Sequence, residues 1–201
     1  MTRKLLLGTR NQGKVAELRA ILTGLDLELQ AVDELADPPP DPPEDAPTYA
    51  ENAIFKARHY ARATGIATIA DDSGLEVDAL DGRPGIHSAR FAGPGATDEQ
   101  NNAALLAALA NVPPERRTAR YRCVLALVRN AADPCPLIAQ GSWEGRIVLD
   151  PAGAGGFGYD PHFIPLGFDC TAAQLSPALK NALSHRGAAL RELIVRLDTC
   201  I

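Results

Sequence analysis

The chain has 201 residues with a formal charge of −5, and 46% of it is hydrophobic against 22% charged. This composition excludes global disorder, and the acidic balance argues against nucleic acid as a bulk electrostatic partner while leaving room for a small anionic ligand held by local charge. The length suits one domain over residues 1–201, with room for two lobes and a sizeable core.

The chain opens with a strand at Lys4 to Gly8, too short to be a signal peptide, and nothing later is apolar enough to span a bilayer. Cys123, Cys135, Cys170 and Cys200 are scattered without a C-x-x-C pair, so they are expected as free thiols in a reducing compartment. A soluble cytoplasmic protein with no membrane partner follows. Lysine occurs only at Lys4, Lys14, Lys56 and Lys180. The first strand leads through Thr9-Arg10-Asn11-Gln12-Gly13-Lys14 into a helix over Val15–Leu22, an order that aims backbone N–H groups at phosphate. The Walker A spacing is absent, and by itself the loop is also an ordinary strand-helix connection. A second strand is expected over Leu27–Val32. Asp37 to Pro47 then holds six prolines in eleven residues, a stiff acidic loop that is either a spacer or a means of presenting Glu44.

Thr48-Tyr49-Ala50-Glu51 is a capping box, opening a helix that carries Lys56 and stops at Gly65. Ile66 to Ala70 has the composition of a buried strand, with Asp71-Asp72-Ser73-Gly74 as its exit turn and Leu75–Leu80 as a further strand. Two adjacent carboxylates repel unless a cation stands between them, so this stretch suits a hard metal, with a plain polar turn as the alternative. A long glycine-punctuated loop spans Asp81–Gly93. Thr97-Asp98-Glu99-Gln100 caps a helix to about Ala110, with Ala103, Leu105, Leu106 and Leu109 facing the core. Thr118–Arg129 alternates as a strand, and Leu137–Leu149 gives two strand-like runs around glycine, with Trp143 as packing. Both hairpins and crossovers are implied, hence a mixed α/β sheet. In Gly156-Phe157-Gly158-Tyr159-Asp160 the aromatics either stack on a base or pin the loop to the core. Ser176-Pro177 starts a helix leading to Lys180, and Ser184-His185-Arg186-Gly187 opens the last helix, with Leu190, Leu193, Ile194 and Leu197 on one face. Cations at that helix start oppose its dipole and hint at an anionic or acceptor-rich ligand.

Six blocks taken together carry a resemblance. They are Thr9-x-Asn11-x-Gly13-Lys14, Thr48-x-x-Glu51-Asn52-Ala53-x-x-Lys56-Ala57, Ala70-Asp71-Asp72-Ser73-Gly74-Leu75, Pro84-Gly85-Ile86-x-Ser88-Ala89-Arg90, Gly156-Phe157-Gly158-Tyr159-Asp160-Pro161 and Ser184-His185-Arg186-Gly187. In this order they resemble the inosine/xanthosine triphosphate pyrophosphatases, from Leu5 to about Leu197. Arg10 fills a variable place and His87 one where the family has an aromatic. The resemblance implies a two-lobed α/β fold, an elongated mixed sheet flanked by helices with the active-site cleft between lobes, in a homodimer. It implies Mg²⁺-dependent hydrolysis of ITP, dITP and XTP to the monophosphate and pyrophosphate. Carried over, Thr9, Arg10, Asn11, Gln12, Gly13, Lys14 and Lys56 correspond to triphosphate contacts. Asp72 corresponds to the proton acceptor and, with Glu44, to the metal ligands, and Ser73 to a substrate contact. Phe157, Gly158, Tyr159, Asp160, Lys180, His185 and Arg186 correspond to nucleotide and base contacts. A nucleotide sensor without turnover would be expected to lack the acids, and both lysines and Asp72 are present.

Overall fold

A computed structural model describes residues 3–197, so Cys200 lies outside the described residues. Six strands form one sheet in the order β2-β1-β3-β4-β5-β6. β1 (Arg3–Leu7) lies parallel to β2 (Leu27–Ala31), with Arg3 opposite Leu27 and Leu7 opposite Ala31. It is also parallel to β3 (Thr68–Val77), with Leu7 opposite Ile69. β5 (Leu137–Ile147) and β6 (Phe163–Pro165) run antiparallel. Together with β4 (Thr118–Val128) and the flanking helices, this is the mixed α/β architecture expected from the sequence. Leu5, Leu6 and Leu7 are wholly buried, as a parallel strand covered on both faces requires.

The chain divides into two compact units. The first takes residues 3–72, 123–141 and 186–197, and the second Ser73–Arg122 and Ser142–His185. In the first, α1 (Gln12–Leu22) and α5 (His185–Leu197) bring Val15, Leu18, Leu22, Leu190, Leu193 and Leu197 onto Leu5, Leu7 and Ile69. Also in this unit, α2 (Tyr49–Thr64) lays Ala53, Ala57 and Ala61 against Ala70, Val124 and Ala126. In the second, α3 (Asp98–Leu109) packs Leu105 and Leu109 with Leu75, Val77, Tyr121, Trp143 and Phe163, so Trp143 is a core residue as expected. The short α4 (Pro177–Leu183) is capped by Ser176, whose hydroxyl accepts from the Leu179 amide.

Several expectations need correction. The acidic stretch is no exit turn: β3 continues through Asp71-Asp72-Ser73-Gly74 to Val77, absorbing the separate strand expected at Leu75. A strand sends consecutive side chains to opposite faces, so Asp71 and Asp72 point apart and each meets its own cation, removing the repulsion that would have favoured a break. The two runs expected over Leu137–Leu149 are likewise one strand, β5, which passes through Gly145. A Cβ there would lie 2.4 Å from the Ile164 carbonyl oxygen, so this glycine permits the close approach of β6. β6 itself is three residues long, too short to leave a periodic signature. α1 begins three residues earlier than expected because Asn11 caps it, accepting from the Lys14 amide at 3.0 Å. In α3, Ala103 is exposed and Leu106 half-buried, leaving Leu105 and Leu109 as the core positions. Thr48 and Gly65 end α2 as expected, except that Glu51 accepts from the Thr48 hydroxyl at 2.7 Å.

Candidate active site

Two groups of side chains gather the residues singled out in the sequence, one in each unit. The first is built on β3. Asp71 is fully buried and meets the Lys14 Nζ at 3.0 Å and the Arg186 Nη2 at 3.1 Å. Arg186 is 1% exposed and also donates from Nη1 to Glu17. Burial by itself would raise the Asp71 carboxyl, but the charges of Lys14, Arg186 and Lys56 outweigh it and hold Asp71 well below the usual carboxylate range. Of the two residues expected as cations at the start of α5, Arg186 finds its anions within the protein. Arg186 answers to Asp71 and Glu17.

On the other face of β3, Asp72 is 4% exposed. Its Oδ2 accepts from Asn52 Nδ2 at 3.0 Å, and its Oδ1 lies 3.5 Å from Lys56 Nζ. Lys56, buried in α2, also donates to Glu44 Oε1 at 2.7 Å, so one ammonium joins the two acids expected to hold metal. Burial raises the Asp72 carboxyl above its ordinary value, against the pull of Lys56 and Lys14. For Lys56, burial is outweighed by Asp72, Asp71 and Glu44, so its proton is held more tightly than usual. Asn52 stands in one of the six sequence blocks but was given no role there. Its position four residues before Lys56 on a helix places both on one face, which is the signal that reveals it. Glu17, three residues after Lys14, is legible in the same way.

In the loop before α1, Thr9 Oγ1 accepts from the Asn11 amide at 3.2 Å, and Gly13 and Lys14 sit on the first helical turn. The side chains of Arg10 and Gln12 turn instead to Asp33, at 2.5 and 3.2 Å. Ser73 is half-buried on β3.

The second group surrounds Asp160, which is 3% exposed. Its Oδ2 accepts from Lys180 Nζ at 2.5 Å and from the Phe157 amide at 3.0 Å, and Tyr121 donates to its Oδ1 at 3.2 Å. Lys180 stands 4.6 Å from the centre of the Phe157 ring, and His185 stacks on Tyr121 with centroids 4.7 Å apart. The two aromatics of the glycine loop differ in placement. Tyr159 is buried and donates to the Ser88 carbonyl at 2.7 Å, pinning the loop, whereas Phe157 is only half-buried. Gly156 has φ +71°, and a Cβ there would fall 2.0 Å from Asp160 Oδ2. Only glycine lets this backbone wrap the carboxylate. Gly158 donates to Asp98 at 2.7 Å.

The Ham1 family model matches residues 5–196. The chain belongs to the Ham1 family. It is 52% identical over 195 residues to a protein of Thioalkalivibrio sulfidiphilus named dITP/XTP pyrophosphatase, covering 97% of this chain and 98% of that protein. A second protein of that name, from Xanthomonas oryzae pv. oryzae, is 52% identical over 94% of each chain. Among solved structures, a HAM1 protein from Coxiella burnetii superposes with a TM-score of 0.88 at 43% identity, covering 98% of this chain and all of that one. The Staphylococcus aureus Ham1 protein gives 0.84 at 38% identity, over 98% and 99% of the two chains. Membership of the Ham1 family agrees with the resemblance read from the six sequence blocks. No helix among the described residues is long and apolar enough to cross a membrane.

Proposed function

We propose that this protein hydrolyses non-standard purine nucleoside triphosphates, dITP, ITP and XTP, to the monophosphate and pyrophosphate. The observation that carries the reading is the meeting of Lys56, Glu44, Asn52 and Asp72 at the middle of β3 in a chain 52% identical to a dITP/XTP pyrophosphatase. Cleaving the α–β linkage requires a water aimed at the α-phosphorus and neutralisation of the departing pyrophosphate. Asp72 accepts the proton of that water. Burial makes it more basic than an exposed carboxylate, and Asn52 fixes its orientation through Oδ2. Lys14 and Lys56 place positive charge at the phosphates, with the backbone of Thr9 to Lys14 at the start of α1 adding N–H donors.

The donors present fit Mg²⁺. Glu44 and Asp72 offer hard oxygen atoms. Among the described residues no group of three or more His, Cys, Asp or Glu could hold a metal, so the remaining ligands would come from phosphate and water, as Mg²⁺ commonly arranges. Bound there, it would offset charge on the transferred phosphates. In the second unit, Phe157, Lys180 and His185 present an aromatic face and donors to the base. Hypoxanthine and xanthine carry oxygen at C6 where adenine has an amino group, so a donor aimed there is paired by the first two and left unpaired by adenine. The homodimer implied by the resemblance belongs to the same reading, and equilibrium sedimentation checks it.

The test is incubation with ITP, dITP, XTP, GTP and ATP in the presence of Mg²⁺, measuring pyrophosphate. Release from the first three, with slow turnover of GTP and ATP, is the expected outcome. Equal turnover of ATP, or release of orthophosphate in place of pyrophosphate, would refute the reading.

A further inference from the structure

The Arg10 side chain lies in the phosphate loop yet is occupied elsewhere. Its Nε donates to Asp41 Oδ1 at 2.8 Å, its Nη1 to Asp33 Oδ1 at 2.5 Å and its Nη2 to the Pro39 carbonyl at 2.7 Å. The same Asp41 oxygen accepts from the Tyr60 hydroxyl at 2.5 Å, and the neighbouring Pro40 carbonyl lies 2.8 Å from His59 Nε2. These contacts seize the front half of the proline-rich segment 37–47 and fasten it to the loop before α1 and to the back of α2. The far end of the segment is tied too, since the Ala46 amide donates to Asn52 Oδ1 at 3.1 Å. Glu44 lies between the two ties.

We propose that Arg10 is a positioning residue: through Asp41, Pro39 and Tyr60 it sets the strap 37–47, and thereby the distance of Glu44 from Lys56 and Asp72, so that affinity for the divalent cation depends on it. The inference rests on the reading of Glu44 and Asp72 as metal acids. Exposed ion pairs ordinarily contribute little to stability. A small energy suffices here, because six prolines in the eleven residues leave the strap little conformational freedom to surrender. Arginine is needed in place of lysine, since three acceptors in different directions call for a fork of donors.

Asp41→Ala and Arg10→Ala are compared with the unaltered protein in two measurements. In nucleotide-free protein, hydrogen exchange reads the Ala46 amide, which donates to Asn52 Oδ1 and should exchange about tenfold faster in both variants while α2 keeps its protection. In turnover of ITP, the Mg²⁺ concentration for half-maximal rate should rise about tenfold in both, and the double variant should be no worse than either alone. For Asp41→Ala the KM for ITP at saturating Mg²⁺ should stay within about twofold. Arg10→Lys should behave like Arg10→Ala. The proposal is overturned if Arg10→Ala raises the KM for ITP with an unaltered Mg²⁺ requirement, or if Asp41→Ala matches the unaltered protein in both measurements. Should Arg10→Ala fail to fold, Asp41→Ala, altered at an exposed carboxylate, carries the test. If the unaltered protein releases no pyrophosphate from ITP, the functional reading falls, and the exchange measurement still decides whether Arg10 holds the strap.

Discussion

The two units solve the burial of charge in opposite ways. Around β3 in the first, seven ionised groups interlock: Lys14, Lys56 and Arg186 against Glu17, Glu44, Asp71 and Asp72. In the second, one buried carboxylate, Asp160, is satisfied by one ammonium, one amide and one phenol, with aromatic rings filling the rest. A dense ionic lattice suits a ligand portion that is itself highly charged and needs counter-ions rearranged around it. A single carboxylate framed by rings suits a flat, nearly neutral base recognised by a few directional donors. On the proposed function, the ionic group would serve the chemistry and the Asp160 group the choice of substrate.

Cutting the ionic lattice around β3 should have the largest effect. Arg186→Ala leaves Asp71 buried with one cation fewer and should lower stability by about 3–5 kcal/mol, read by urea unfolding. Because the folded protein holds Asp71 below its ordinary pKa, the unfolded chain takes up a proton first. The stabilisation is therefore present above about pH 4 and lost as the pH falls below it. Arg186→Ala should flatten this acid limb. The same variant bears on the expectation that Arg186 meets the base: an unchanged ratio of kcat/KM for ITP over ATP would confine Arg186 to bracing Asp71.

Next in size, Asp72→Asn should lower kcat for ITP by at least about 10²-fold if Asp72 is the general base. Near-normal turnover would remove it from that role. Smaller still, Gly156→Ala forces a methyl onto Asp160 from a left-handed backbone position and should cost about 1–3 kcal/mol. It sharpens the contrast because the damage should fall on discrimination between ITP and ATP while the Mg²⁺ dependence stays as it was.

Much of this was legible in the sequence because the signals were local. Thr48, Thr97 and Ser176 marked their helix starts, the alternation of Thr118–Arg129 marked the strand that ends at Val128, and the six blocks marked the family. The course of β3 was not legible. Four polar or small residues in a row look like a turn, and only the distant partners Lys14, Arg186, Asn52 and Lys56 make a strand through them tolerable. The split between Phe157 and Tyr159 was hidden for a similar reason, since the acceptor for Tyr159 is the backbone of Ser88, 71 residues away. The engagement of Arg10 was equally invisible, because its acceptors lie 23 to 31 residues on, two of them in a segment with no periodic pattern.

The division of labour is tested most directly by measuring kcat/KM for ITP and for ATP in Lys56→Ala and Lys180→Ala. Lys56→Ala should depress both substrates in proportion and preserve their ratio, and Lys180→Ala should lower the ratio by about tenfold. A ratio that shifts in Lys56→Ala and holds in Lys180→Ala would contradict it.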